Sequence, residues 1–271
     1  MRTRVVAGLV AAVLLVLLIF LASFPLMMSV VLACAMMAYL EYDRLFFEGK
    51  AVGRQVRQVV LLFLTILATY QAPAAGWVTL WFSGTFLFTY HLWGASKDGD
   101  FSKAVGALSL ELMGYWYILG LFGFLVPIAE IQRHYLLLLF LLVFGGDTAA
   151  YFVGRRWGRY KLAPQLSPGK TVEGAVAAIV VAFLLAVVWL YVVRGGELEP
   201  GYAAKLLWFA PVVSALAQFG DLFESLLKRS QSRKDSGVFL PGHGGILDRV
   251  DGLALTAPLF YFYLTYVLER A

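Results

Sequence analysis

At 271 residues, with 61% hydrophobic, only 14% charged and a mean hydropathy of +0.78, the chain is far from the composition of a water-soluble domain. Soluble domains carry about 25% charged residues, so the solvent here is lipid and the chain is an integral membrane protein. The net charge of +5 does not by itself point to nucleic acid, and no nucleic-acid partner is expected; the single Cys34 lies in an apolar run and excludes a disulfide framework.

A helical span needs about 20 mostly apolar residues. Nine segments qualify in chain order, at about 5–22, 24–40, 57–72, 76–93, 108–129, 134–154, 173–193, 203–220 and 252–268. The first follows Arg2 and Arg4 and lacks a clear small-residue cleavage site, so it reads as a retained span rather than a signal peptide. The third is short, and the fifth begins earlier or contains a break. With the N-terminus inside and nine crossings, 18 of the 22 Lys and Arg residues fall on the inner side, leaving Arg133, Arg194, Lys205 and Arg270 outside. Inner loops carry the excess of Lys and Arg, so the expected fold is all-α, a polytopic bundle of about nine transmembrane helices with a cytoplasmic N-terminus. No internal repeat is visible. Residues 1–100 read as a generic set of membrane helices with small residues for packing. Residues 101–271 read as the catalytic region, with inner loops at 155–172 and 221–251.

Four carboxylates stand at the inner ends of spans six, eight and nine: Asp147 in "LLVFGGDTAAYF", Asp221 in "QFGDLFESLLKR", and Asp248 and Asp251 in "ILDRVDG". The last two, at i and i+3, share a helix face. Each has an ordinary reading as a helix cap or a snorkelling partner for Arg. An Asp deep in a span costs about 2.5–3.5 kcal/mol on insertion scales, so Asp147 calls for a partner or an ion. Four carboxylates converging with few His or Cys residues suit a hard cation such as Mg²⁺, with a second cation left open. Lys170 in "LSPGKTVEG", with Lys228, Arg229, Arg233, Lys234 and Arg249, points to an anionic ligand. The positive-inside rule explains a basic loop but not the interleaved Gly242, Gly244 and Gly245, whose backbone N–H groups suit phosphate oxygens. Together these are the parts of phosphoryl or nucleotidyl transfer. "GKT" at 169–171 is not a P-loop, because Pro164 stands where its first glycine belongs. The "DG" pairs at 98–99 and 251–252 lack the downstream spacing of the CDP-alcohol phosphotransferases.

The stretch "SLLKRSQSRKDSGVFLPGHGGILDRVD" resembles the signature of the phosphatidate cytidylyltransferase family, the CDP-diacylglycerol synthases, at Ser225, Lys228, Arg229, Lys234, Asp235, Gly237, Leu240, Pro241, His243, Gly244, Gly245, Asp248, Arg249 and Asp251. The upstream "GGDTAAYFVGRRWGRYKLAPQLSPGKTVEG" is similar to that family as well. The resemblance covers about residues 140–256 and implies CTP + phosphatidic acid → CDP-diacylglycerol + pyrophosphate, dependent on Mg²⁺, at the cytoplasmic face of the inner membrane. It implies Asp221 and Asp248 as metal ligands, with Asp251 and Asp147 beside them. Lys170, Lys228, Arg229, Lys234 and Arg249 would hold phosphates, helped by Ser167, Thr171, Ser225, Gly244 and Gly245. A phosphate monoester has a second pKa of about 6 and needs no base, so His243 is expected to orient a phosphate. A homodimer is compatible with the chain. Two alternatives stay open at this point: a cytidylyltransferase for an ether-lipid or polyprenyl phosphate, and an ion-coupled transporter, whose paired broken spans and midplane sites fit the sequence less well.

Overall fold

Where water is absent, a backbone can satisfy its N–H and C=O groups within one segment only by forming a helix, and the apolar runs fold accordingly. The structure is a computed structural model and describes residues 2–49, 51–194, 200–233, 236–237 and 245–268. In chain order the elements are α1 (Arg2–Leu21), α2 (Phe24–Phe47), α3 (Val52–Gln71), α4 (Pro73–Asp98), α5 (Phe101–Phe122), α6 (Leu125–Ile131), α7 (Arg133–Trp157), β1 (Lys161–Ala163), β2 (Ser167–Thr171), α8 (Val172–Arg194), α9 (Pro200–Ser230), α10 (Leu247–Val250) and α11 (Leu253–Tyr263), with a π-helical turn at Leu264–Leu268. Among the described residues six helices are long and apolar enough to cross a membrane: α2, α3, α5 taken with α6, α7, α8 and α9. The chain is therefore an all-α polytopic membrane protein carrying one small hairpin.

Local chemistry sets the ends. Ser23 opens α2 by accepting the Leu26 N–H (3.4 Å), and Asp100 opens α5 by accepting that of Lys103 (3.0 Å). Gly99 closes α4 in the left-handed conformation, at φ 71°.

The structure meets the sequence expectation in one place and differs from it in two. The fifth segment begins earlier and contains a break, at Gly123–Phe124, dividing α5 from α6. The loop expected at 221–251 begins with ten helical residues, because "DLFESLLKRS" is rich in helix formers and carries Glu224 and Lys228 at i and i+4. The loop expected at 155–172 contains the end of α7 and the antiparallel pair β1–β2, with Lys161 opposite Thr171 and Ala163 opposite Ser167.

Helix α5 packs against α2, α3, α4 and α11, while α7, α8 and α9 pack as consecutive neighbours and α9 meets α11. The core holds Tyr39, Tyr42, Tyr115, Tyr135 and Phe260. The N-terminal half is not the plain apolar bundle its sequence suggests. Asp43, fully buried, accepts from Arg54 Nε (2.8 Å) and Gln55 Nε2 (2.7 Å). Glu111, also buried, accepts from Arg57 (2.6 Å) and Gln58 (2.7 Å) and faces His91 Nε2 at 3.2 Å. These bonds tie α2 to α3, and α3 and α4 to α5.

Candidate active site

The inner end of α9 supplies the first acidic groups. Asp221, Glu224 and Lys228 follow one another at i, i+3 and i+7 and so share a helix face. The turn between α10 and α11 supplies Asp251. The two elements meet main chain against main chain: a Cβ on Gly220 would stand 2.5 Å from the Asp251 carbonyl oxygen and 3.2 Å from Gly252 Cα. That approach gathers carboxylate oxygens of Asp221, Glu224 and Asp251 to within 4.8 Å of one another. Burial pushes the Asp251 carboxyl well above the usual range, and the negative neighbours Asp221, Glu224 and Asp147 push it further. Asp147 of α7 stands within electrostatic reach of Asp221 and Lys170. Tyr117 of α5 lies within electrostatic reach of the cluster, and its buried hydroxyl has no hydrogen-bond partner among the described residues.

Cations border this cluster on two sides. The hairpin presents Lys170 from β2, whose Nζ lies 2.6 Å from Asp221 Oδ2. Lys228 is ion-paired with Glu224 and donates to Asp248 Oδ1 at 2.6 Å. Asp248 also accepts from Ser236 N (3.0 Å), Ser236 Oγ (2.9 Å) and Gly245 N (2.8 Å). Burial alone would raise its carboxyl, but the bonds from Lys228 and Gly245 outweigh that and hold it at about 2. Three carboxylates without His or Cys form a donor set for a hard, oxygen-seeking cation. Glu224 is buried, with Oε2 against the Lys228 ammonium group.

Of the residues the sequence singled out, Asp221, Asp251, Lys170 and Lys228 come together, with Asp147 beside them. Asp248 shares Lys228 with Glu224 and so borders the same cluster, and the backbone stays helical through Asp251 and Gly252, which keeps Asp248 and Asp251 on neighbouring turns of one face. Thr171 is buried and its hydroxyl accepts the Gly174 N–H at 3.1 Å, capping α8. Ser167 in β2 and Ser225 in α9 are half-buried. Arg229 is exposed, donating to Leu166 O (3.4 Å) in the hairpin turn, and Arg249 is exposed at α10. Lys234, His243 and Gly244 lie outside the described residues.

Two acidic residues escaped the sequence reading. Glu224 carried a signal, its i, i+3 spacing from Asp221. Glu41, in α2, is 4% exposed and accepts from Ser236 Oγ (3.3 Å), Ile246 N (3.0 Å) and Leu247 N (3.1 Å). Its only signal was a charge near the inner end of an apolar run.

Comparison with known proteins bears on the same residues. The cytidylyltransferase family matches residues 2–267. A phosphatidate cytidylyltransferase of Bacillus subtilis is 34% identical over 222 residues, 81% of this chain and 71% of its own length. Those of Haemophilus influenzae and Brucella suis are 38% and 47% identical over 133 and 131 residues, about half of this chain and 46% and 44% of their own lengths. With its acidic cluster, flanking lysines and a match running almost end to end, the chain belongs to the cytidylyltransferase family.

Proposed function

We propose that the chain transfers the cytidylyl group of CTP to phosphatidic acid, giving CDP-diacylglycerol and pyrophosphate, at the cytoplasmic face of the inner membrane. The observation that carries this reading is the acidic trio Asp221, Glu224 and Asp251 set between Lys170 and Lys228, in a chain matched by the cytidylyltransferase family. The bundle crosses the bilayer nine times with the N-terminus inside, a reading supported by the Lys and Arg distribution. A homodimer is compatible with it.

Both reactants are anions, so their mutual repulsion is the main obstacle to be offset. An oxygen of the phosphatidate monoester attacks the α-phosphorus of CTP; the α–β bridging P–O bond breaks and pyrophosphate leaves with the electron pair. The nucleophile is mostly a dianion near neutral pH, because its second pKa is about 6, so no general base is required. Asp221 and Asp248, with Glu224 and Asp251, would hold Mg²⁺, and Asp147 adds charge beside them. The ion supplies charge neutralisation at the phosphates and the departing pyrophosphate. Lys170 and Lys228, now paired with carboxylates, are placed to turn to phosphate oxygens; Arg229, Lys234 and Arg249 supply further positive charge at the rim, and Asp248 keeps the chain at Ser236 and Gly245 in place. Ser167, Ser225, His243 and Gly244 complete the substrate-binding set on the strength of the family signature.

The test is to incubate the purified protein in detergent with labelled CTP, Mg²⁺ and, separately, phosphatidate, an ether-lipid phosphate and a polyprenyl phosphate. Phosphatidate is expected to yield liponucleotide and an equivalent of pyrophosphate. Product from another lipid phosphate and none from phosphatidate would overturn the substrate.

A further inference from the structure

Glu41 takes no part in the chemistry above, yet it is enclosed by the chain that leads into α10. Its carboxylate accepts the amides of Ile246 and Leu247 and the hydroxyl of Ser236, residues 195 to 206 positions away in sequence. The main chain closes on it so tightly that a Cβ on Gly237 would stand 2.7 Å from Oε1, and one on Gly245 would overlap Oε2 and Ser236 Oγ. Asp248 grips the same two strands from the other side, through Ser236 and Gly245. Asp43, two residues along α2, is met by Arg54 and Gln55 and serves to join α2 to α3. Glu41 is instead directed at the opening turn of α10, the segment that fixes where Asp248 meets Lys228 and where Asp251 meets Asp221 and Glu224.

We propose that Glu41 is a positioning residue for the acidic cluster: by holding Ile246 and Leu247 to α2, it sets the distance of Asp251 from Asp221 and Glu224 and so the affinity for a divalent cation. This deepens the functional reading above and rests on it for the role of the cation. Removing a buried acceptor leaves its donors unsatisfied, an effect that reads locally when the rest of the fold is intact.

The test uses the full chain in detergent, with E41Q, S236A and the control D43N. Magnesium alone is titrated by its effect on the melting temperature, and hydrogen exchange is followed over residues 245–247. In E41Q the half-saturating Mg²⁺ concentration should rise at least about fivefold and exchange at 245–247 at least about tenfold, while α5 exchanges as in the wild type. S236A, which leaves every charge in place, should shift both in the same direction by about threefold and decides the matter if E41Q does not fold. D43N should lower the melting temperature without moving the Mg²⁺ midpoint. Midpoints within twofold of wild type in both E41Q and S236A would overturn the proposal, as would an equal shift in D43N. These readouts need no turnover, so a wild type that binds Mg²⁺ but makes no liponucleotide would sink the functional reading and not this one.

Discussion

Two clusters of buried charge lie in this molecule, and their difference separates scaffold from chemistry. In the N-terminal cluster Asp43 and Glu111 are each met by an arginine, Arg54 and Arg57, and by a glutamine, Gln55 and Gln58. Negative and positive charges balance there. In the C-terminal cluster Asp147, Asp221, Glu224, Asp248 and Asp251 face, among the described residues, the ammonium groups of Lys170 and Lys228. A buried pair is tolerable when its charges cancel. A surplus of carboxylates has to be relieved, by proton uptake or by a cation from outside.

The largest expected effect comes from reducing that surplus. D221N and D251N should each lower turnover by at least about a thousandfold, since charge neutralisation at the phosphates is the main contribution asked of the site. Melting temperatures measured in chelator should not fall, because each change relieves repulsion among the carboxylates. A clear drop there would mean the cluster is structural and the contrast false. E111Q should do the reverse: breaking a balanced buried pair costs about 3–5 kcal/mol of stability, while the protein that remains folded turns over within a few-fold of wild type. Denaturation and rate measured on the same preparation distinguish the two.

A smaller effect is expected at glycines. G245A places a methyl group against Ser236 and Glu41 and should weaken the use of CTP by about tenfold, on the scale of a core overpacked by one carbon. G84A, where an added Cβ meets nothing within 4 Å, should leave it unchanged. Equal behaviour in a CTP titration would show that the chain around Gly245 is only a turn. The smallest effect concerns histidines. His91 faces Glu111 of the balanced cluster, and on the mechanism proposed above His243 is not needed as a base. H243Q keeps a donor and should retain turnover within about tenfold, since a general base contributes about a hundredfold or more. Loss as deep as that of D221N, rescued by imidazole, would restore His243 to the role of base.

The family signature was legible because it breaks the apolar pattern. Asp221, Asp251, Lys170 and Lys228 stand out among Leu and Phe, and the structure brings them together. Legibility failed wherever the answer depended on which distant element crosses which. Asp248 and Asp251 share a spacing, but nothing local says that Glu224 and Lys228 of α9 come to meet them. Glu41 lies in an otherwise apolar helix, and its role exists only because α2 passes beside α10. The hairpin at Lys161–Thr171 is too short for alternation to show, and its Pro168-Gly169 pair argues against strand. Hydropathy marked where α9 leaves the apolar layer but not where it ends, since Asp221–Ser230 are good helix formers outside a membrane as well as within one.

The contact of Gly220 with the Asp251–Gly252 main chain has one more consequence. Asp221 follows one of these touching points and Asp251 provides the other, so the separation of their Cα atoms is set by two backbones in contact, and only the short Asp rotamers can adjust the rest. Such a joint has little slack: a small slide of α9 along its axis shifts the gap between the two carboxylates. The residues that govern that slide, Val143 and Ala217 against Gly252, carry no charge and face no phosphate. Here the calibration of an ionic site is entrusted to the fit of small apolar side chains.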